Sequence, residues 1–230
     1  MDFAHCTSIH SCTGEPGYPG LVKITVQTYD CTGCNSTAEG GLATTQDKPL
    51  ADLMGLYRSH GVTRDPDLMA RKHAEPWEYD QVALGLNYRM TEMQAALGVT
   101  QAARLDDFIA HRHKMARRYE AALADLPLIL PWQNPDSHSA LHLYPILIDT
   151  DKTNRTRREV FDHMRAASIG VNVHYQPVHT QPYYQSLGFR PGDFPVSEWV
   201  YARALSIPLY HGLTEAMQDR VIETLGDALR

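Results

Sequence analysis

Cationic excess is missing from this chain: 21 Lys and Arg stand against 27 Asp and Glu, a formal net charge of −6 over 230 residues. Phosphate backbones select clustered cations, so this balance argues against nucleic acid as the main partner. Cysteine is scarce, four in all, which gives no disulfide scaffold and makes a reducing cytoplasm the expected compartment. No apolar run approaches the ~20 residues of a membrane helix. Met1-Asp2-Phe3-Ala4 has neither the basic region nor the apolar stretch of a signal peptide. Internal repeats, low-complexity tracts and coiled-coil heptads are absent as well. What remains is an ordinary globular composition, 43% hydrophobic and 21% charged, in a chain long enough to bury a core in one or two domains. The basic cluster Arg112, His113, Lys114, Arg117 and Arg118 falls on a helical pattern and reads as a solvated face.

Along the chain, residues 1–36 are rich in Cys, Thr, Gly and Ser, with one β-like run from Val22 to Gln27. Leu42–Thr45 reads as a short strand, and Asp47-Lys48-Pro49 opens a helix from about Leu50 to His60 that Gly61 closes. Pro66 and Pro76 make Thr63–Gln81 an irregular loop. Thr91 caps a helix whose periodic positions at Met93, Ala96, Leu97, Thr100, Ala103, Leu105 and Ile109 fit a period near 3.6; it is expected to run on to about Leu123, with Pro127 as the stop. A strand at Leu141–Ile148, a helix at Arg157–Ala167 and a short strand at Gly170–Tyr175 follow. Pro177–Pro195 reads as loop, Val196–Ala204 as helix, and Thr214 starts a last helix to Leu229. This order suits a small α/β domain packed on the long helix.

Several segments in one order carry a resemblance: Thr37-Ala38-Glu39-Gly40-Gly41-Leu42-Ala43-Thr44-Thr45, then Leu56–Asp65, then Gly85-Leu86-Asn87-Tyr88-Arg89-Met90-Thr91-Glu92-Met93-Gln94, then His174-Tyr175-Gln176-Pro177-Val178-His179. From Thr37 onward, about four-fifths of the chain, this text resembles the vitamin B6-dependent nucleotide-sugar aminotransferases of fold type I. The runs Pro182-Tyr183-Tyr184, Leu187-Gly188-Phe189 and Gly192-Asp193-Phe194-Pro195 look most like the branch that aminates UDP-4-keto-6-deoxy-N-acetyl sugars for pseudaminic acid synthesis. The resemblance implies the C-terminal part of a fold-type-I aminotransferase. Residues 1–90 would be a remnant of the large cofactor-binding domain, 91–126 a long linking helix, and 127–230 a small C-terminal α/β domain. The family's text before Asp2 has no counterpart here, so the resemblance implies an N-terminally truncated relative.

The resemblance further implies a pyridoxal phosphate cofactor, glutamate as amino donor, a nucleotide-sugar substrate and a homodimer. Asp2 and His5, in Asp2-Phe3-Ala4-His5, stand where the family contacts the cofactor ring, Asp2 as the carboxylate that keeps the pyridine nitrogen protonated. Asn87 stands where the family reaches the cofactor phosphate across the dimer, with Arg89 adding charge. His174, Tyr175 and Tyr184 would line the sugar-nucleotide site. The catalytic lysine is the departure. In the family it stands six residues before the glutamate, a place held here by Gly33, within Gln27-Thr28-Tyr29-Asp30-Cys31-Thr32-Gly33. A glycine forms no Schiff base, Lys23 lies ten residues too early, and Lys48 lies past the glycine turn. No catalytic residue is therefore assigned, and the chain is expected to turn over poorly or not at all.

Blander readings stand beside these. Asn87 and Arg89 could cap the helix that begins near Thr91, His174-Tyr175 and Tyr183-Tyr184 could be packing, and Glu39-Gly40-Gly41 more plausibly shapes a turn than performs chemistry. One rival function is a non-catalytic module for dimerisation or sugar-nucleotide binding. Another is a structural zinc site built from Cys31-Thr32-Gly33-Cys34 with Cys6, Cys12, His5 and His10, although the two cysteine pairs do not share a ligand spacing.

Overall fold

A computed structural model describes residues 25–28, 41–71 and 75–230, which fall into two compact units dividing between Ala103 and Arg104. In the first unit, β1 (Thr25–Thr28) pairs antiparallel with β2 (Gly41–Thr44). Helix α1 (Lys48–Arg58) starts two residues before the sequence expectation, because Asp47 caps it: its Oδ1 accepts the Leu50 N–H at 2.9 Å, and Pro49 fits the first turn. The helix ends at Arg58, where the Gly61 N–H returns to Leu56 O at 2.9 Å and both His60 and Gly61 take positive φ.

The stretch expected as irregular loop is tied at both ends by a two-residue ladder, β3 (Val62–Thr63) against β4 (Asp80–Gln81). Asp80 secures it further by accepting the Ala70 N–H at 2.9 Å and pairing with Arg71 at 2.6 Å. Helix α2 (Glu92–Ala102) carries a capping box: Thr91 Oγ1 accepts from Gln94 N, and Gln94 Oε1 accepts the Thr91 N–H at 3.0 Å.

The single long helix expected from Thr91 to Leu123 is two helices. α2 stops at Ala102, and α3 (Leu105–Leu123) begins after Arg104, whose φ of −109° and ψ of 4° leave the helical region. Neither proline nor glycine stands at the break. Thr100 Oγ1 instead donates to Leu97 O at 2.8 Å in the last turn, and Asp106 and Asp107 favour a fresh helix start through their charge on its N-terminus. Apolar period alone cannot register such a stop.

In the second unit the core lies between helices and a three-stranded antiparallel sheet, β5 (Leu128–Ile129), β6 (Tyr144–Ile148) and β7 (Ala204–Ile207), in the order β5-β6-β7. Strand β6 buries Tyr144, Ile146 and Ile148 at alternate positions, as period two requires, and β7 is buried throughout. The strand expected from Leu141 begins only at Tyr144, since Leu141 has φ 48°. Helix α4 (Arg157–Ala166) and helix α7 (Glu215–Leu229) close the core with α3, which buries Phe108, Met115, Ala116, Tyr119 and Leu123 on one face.

Thr156 with Glu159 caps α4, a cap absent from the sequence expectations, and Thr214, the expected start of the last helix, caps α7 by accepting the Met217 N–H at 3.2 Å. Gln218, fully buried, donates from Nε2 to Met115 O at 2.7 Å and so joins α7 to α3. The solvated basic face holds for Lys114 and Arg117, both exposed, but not for Arg118, which is half-buried and bonded to Gln218 and Asp219, nor for Arg112, which is only 4% exposed. That position faces the core side of α3 along with Phe108 and Met115.

Two further expectations need correction. Gly170–Tyr175 forms no strand; only Asn172 bridges to Ser206. The Asn172 side-chain oxygen accepts the neighbouring Val173 N–H at 2.8 Å, a local bond that competes with a continuing ladder. The loop from Pro177 contains a 3₁₀ turn (Val178–Thr180) and a short helix α5 (Pro182–Ser186), then α6 (Pro195–Arg203) leads directly into β7.

Candidate functional site

Asn87 sits in the first unit, on a segment held by α1's C-terminus. Leu86 N donates to Tyr57 O at 2.8 Å, Tyr88 N to Arg58 O at 2.9 Å, and His60 N to Leu86 O at 2.9 Å, while Ser59 bridges to Asn87. Two glycines permit this close approach. A Cβ on Gly85 would lie 2.2 Å from Gly61 N and 2.8 Å from Tyr57 O, and one on Gly61 would lie 1.9 Å from Ala83 O.

The exposed Asn87 side chain accepts from Arg89 Nε at 3.1 Å through Oδ1. That bond engages the amide oxygen and one guanidinium nitrogen, so the remaining donors of both exposed side chains are the Asn87 Nδ2 and the other two guanidinium nitrogens. Neither residue caps α2, because Thr91 and Gln94 do so; that blander reading of the pair is overturned. A donor pair of this kind suits a phosphate group. Lys48 is exposed and pairs with Asp52 at 2.6 Å within α1.

In the second unit His174 and Tyr175 share one set of contacts and Tyr184 belongs to another, made of aromatic rings. His174 Nδ1 lies 2.8 Å from Ser206 Oγ, and its Nε2 lies 3.2 Å from Asn172 Nδ2. Its ring meets that of Tyr175 edge-on, with centroids 4.9 Å apart. Tyr184 stands edge-on to Tyr183 and 6.4 Å from Phe189, which is 6.2 Å from Phe194. His179 is buried against Phe194 and lies 2.7 Å from Glu198 Oε1, which also accepts the Gly192 N–H at 2.6 Å. Those hydrogen bonds, His179 first and then Gly192, hold the Glu198 carboxyl below its ordinary range.

The sequence singled out His174, Tyr175 and Tyr184 but missed Asn172, Ser206 and Glu198. Asn172 carried a weak signal, two residues before His174 and so on the same face of an extended segment. Nothing local marks Ser206, 32 residues away from its histidine partner. Asp2, His5, Lys23, Gly33, Glu39 and the four cysteines lie outside the described residues. Among the described residues no group of three or more His, Cys, Asp or Glu is placed to hold a metal ion, and no helix is long and apolar enough to cross a membrane. A cavity of about 410 Å³ bordered by Thr150, Lys152, Arg155 and Arg230 contains none of the expected site residues.

Comparison with known proteins joins these observations. The model of the DegT/DnrJ/EryC1/StrS aminotransferase family matches residues 31–226. The spore coat polysaccharide biosynthesis protein SpsC of Bacillus subtilis is 36% identical over 198 residues, covering 85% of this chain and 51% of that protein. The structure of PseC from Helicobacter pylori, an aminotransferase involved in pseudaminic acid biosynthesis, superposes with TM-score 0.71 at 26% identity, covering 84% of this chain and 49% of that one. The PLP form of Spr1654 from Streptococcus pneumoniae shares the fold with TM-score 0.75 at 24% identity, covering 96% of this chain and 54% of that one. The chain thus spans about half the length of the relatives it matches.

Proposed function

This chain belongs to the DegT/DnrJ/EryC1/StrS aminotransferase family, and from that membership we propose that it carries one part of a pyridoxal-phosphate-dependent aminotransferase. In this reading, an amino group passes from glutamate to a 4-keto-6-deoxy nucleotide sugar, for surface polysaccharide synthesis. The family is one of sugar aminotransferases, and its members here include a polysaccharide-synthesis protein and PseC. The finer substrate rests on the His174–His179 and Pro182–Pro195 text. A homodimer fits the apolar side chains left exposed on the first unit, among them Leu84 at 89% and Met93 at 83%.

One observation supports the cofactor assignment: Arg89 is hydrogen-bonded to the Asn87 amide oxygen, so both donor-bearing side chains stand together at an exposed position. These two residues would reach across a dimer to the phosphate of the neighbouring copy's cofactor, while Asp2 and His5 would meet the ring of the chain's own. When bound, the cofactor supplies the electron sink that lets an amine and a carbonyl exchange. The chain's own residues do the rest of the binding. Tyr184 with its neighbouring rings offers the apolar, π-rich wall on which a nucleotide or sugar face can lie, and His174 with Tyr175 offers polar edges to its hydroxyls. No amine is assigned to move the proton, since Gly33 occupies the place of the family lysine.

That same glycine favours a second reading, a non-catalytic module that dimerises or binds a nucleotide sugar. Titration calorimetry with pyridoxamine phosphate separates cofactor binding from turnover. Wild-type binding that weakens by roughly tenfold or more in Asn87→Ala supports the phosphate assignment. Equal binding by the variant removes Asn87 from the site. Amino transfer from glutamate to a UDP-4-keto sugar at the rate of a lysine-bearing relative would overturn the impaired-enzyme reading.

A further inference from the structure

His174 meets two side chains, those of Asn172 and Ser206, whose polarities constrain one another. Ser206 and Asn172 exchange backbone hydrogen bonds, Ser206 N to Asn172 O at 2.8 Å and Asn172 N to Ser206 O at 3.2 Å. This bridge fixes the segment bearing His174 against buried β7. The Asn172 carboxamide has two ends, and its oxygen already accepts the Val173 N–H at 2.8 Å. Its nitrogen is therefore the end that faces His174 Nε2, 3.2 Å away. An amide nitrogen only donates, so Nε2 must accept and carries no proton. The remaining nitrogen, Nδ1, then holds the ring proton and donates to Ser206 Oγ at 2.8 Å. A proton on Nε2 would set two donors against each other.

We propose that Asn172 and Ser206 are positioning residues of the sugar-nucleotide site: they hold His174 in its Nδ1–H form and fix the ring against which Tyr175 rests. This rests on the reading that His174 and Tyr175 line that site. It gives His174 a definite part. The ring is a fixed support rather than a proton carrier, since its lone pair and its proton are both committed to neighbours. Tyr175, half exposed and edge-on to that ring, is then presented toward ligand in one orientation. Holding a ring at both nitrogens removes rotamer freedom before ligand arrives, which is where such a pair gains affinity.

The test uses the whole chain labelled with [15N]histidine, with a His174→Gln variant to assign its signals among the 12 histidines. Long-range 1H–15N spectra report which ring nitrogen bears the proton. The expected wild-type signature is a protonated Nδ1 and a bare Nε2 at His174. Asn172→Asp keeps the shape but presents an acceptor to Nε2, and the proton is expected to appear there. Titration with UDP-N-acetylglucosamine as probe is expected to weaken by roughly tenfold in that variant, while its melting temperature stays close to wild type. A wild-type ring protonated at Nε2, or an Asn172→Asp variant with unchanged proton position, overturns the hydrogen-bond assignment. Unchanged probe affinity in a variant whose ring has switched overturns the positioning role. A wild-type chain that binds no nucleotide sugar overturns both the site reading and the role, while its spectra still judge the network by themselves.

Discussion

One oxygen of Glu198 joins two segments of the aromatic loop, meeting His179 Nε2 at 2.7 Å and the Gly192 N–H at 2.6 Å. Its carboxyl is held below the ordinary range by these bonds. A depressed carboxyl contributes stability that is full above its unfolded pKa and is lost as pH falls through the folded value. Protection of the Gly192 amide, its exchange rate relative to the intrinsic rate at the same pH, should therefore be full near neutrality and fall as pH drops below the ordinary glutamate range. Glu198→Gln should exchange faster at pH 7 and lose most of that pH dependence. Equal protection in both proteins across the range would remove Glu198 as the tie.

His211 gives a second pH dependence, nearer neutrality. Its ring lies 4.4 Å from Phe108 and 5.5 Å from His111. Partial burial, then His111, Arg104 and Arg112, lower its pKa, against a smaller opposing effect of Asp107. The sign is that of a base kept neutral by folding: the contribution is present above the ordinary value of about 6.5 and falls away as pH drops through the folded one. Melting temperature should decline as pH falls from about 7 to 5, with a shallower decline in His211→Phe. Parallel curves for the two proteins would contradict this.

Helix ends and the core of the second unit should give losses of different size. Thr156→Ala removes the α4 cap, in which Thr156 Oγ1 accepts the Glu159 N–H at 3.2 Å, and should cost about 1 kcal/mol in denaturant unfolding. Ile146→Ala, at a fully buried position of β6, should cost about 2–5 kcal/mol. Tyr119→Phe loses the hydroxyl that donates to Pro208 O at 2.9 Å and should cost about 1 kcal/mol. A cap loss as large as the Ile146 loss would mean that α4 is held mainly at its end.

In the first unit the glycine pair is the sensitive point. Gly61→Ala places a Cβ 1.9 Å from Ala83 O at a residue with φ 68°, where clash and backbone strain should together exceed about 1 kcal/mol. Because the same turn carries the segment of Asn87, the variant should also bind pyridoxamine phosphate more weakly. Wild-type binding in a destabilised Gly61→Ala protein would separate the turn from the phosphate contact.

Much of this fold is legible where a local residue sets it. Thr91 with Gln94, Thr156 with Glu159, and Thr214 each mark a helix start because a cap is a contact within one turn. Period 3.6 carries through Met93 to Ile109, so it hides the stop at Ala103–Arg104, which the Thr100 hydroxyl and the Asp106–Asp107 charges create. The extended text of Gly170–Tyr175 likewise hides that only Asn172 finds a strand partner. Asn87 and His174 could be named from ordered motifs. Their partners divide differently: Arg89 is two residues from Asn87, whereas Ser206 and Glu198 meet their histidines only through the tertiary fold.

The central proposal is that this aminotransferase relative lacks the amine for covalent cofactor attachment, Gly33 standing where the resemblance sets the family lysine. Borohydride reduction of the purified chain with pyridoxal phosphate, followed by peptide mass mapping, tests it most directly. The predicted result is scattered or absent phosphopyridoxyl labelling. A single stoichiometric adduct at Lys23 or Lys48 would contradict it and restore a full enzyme.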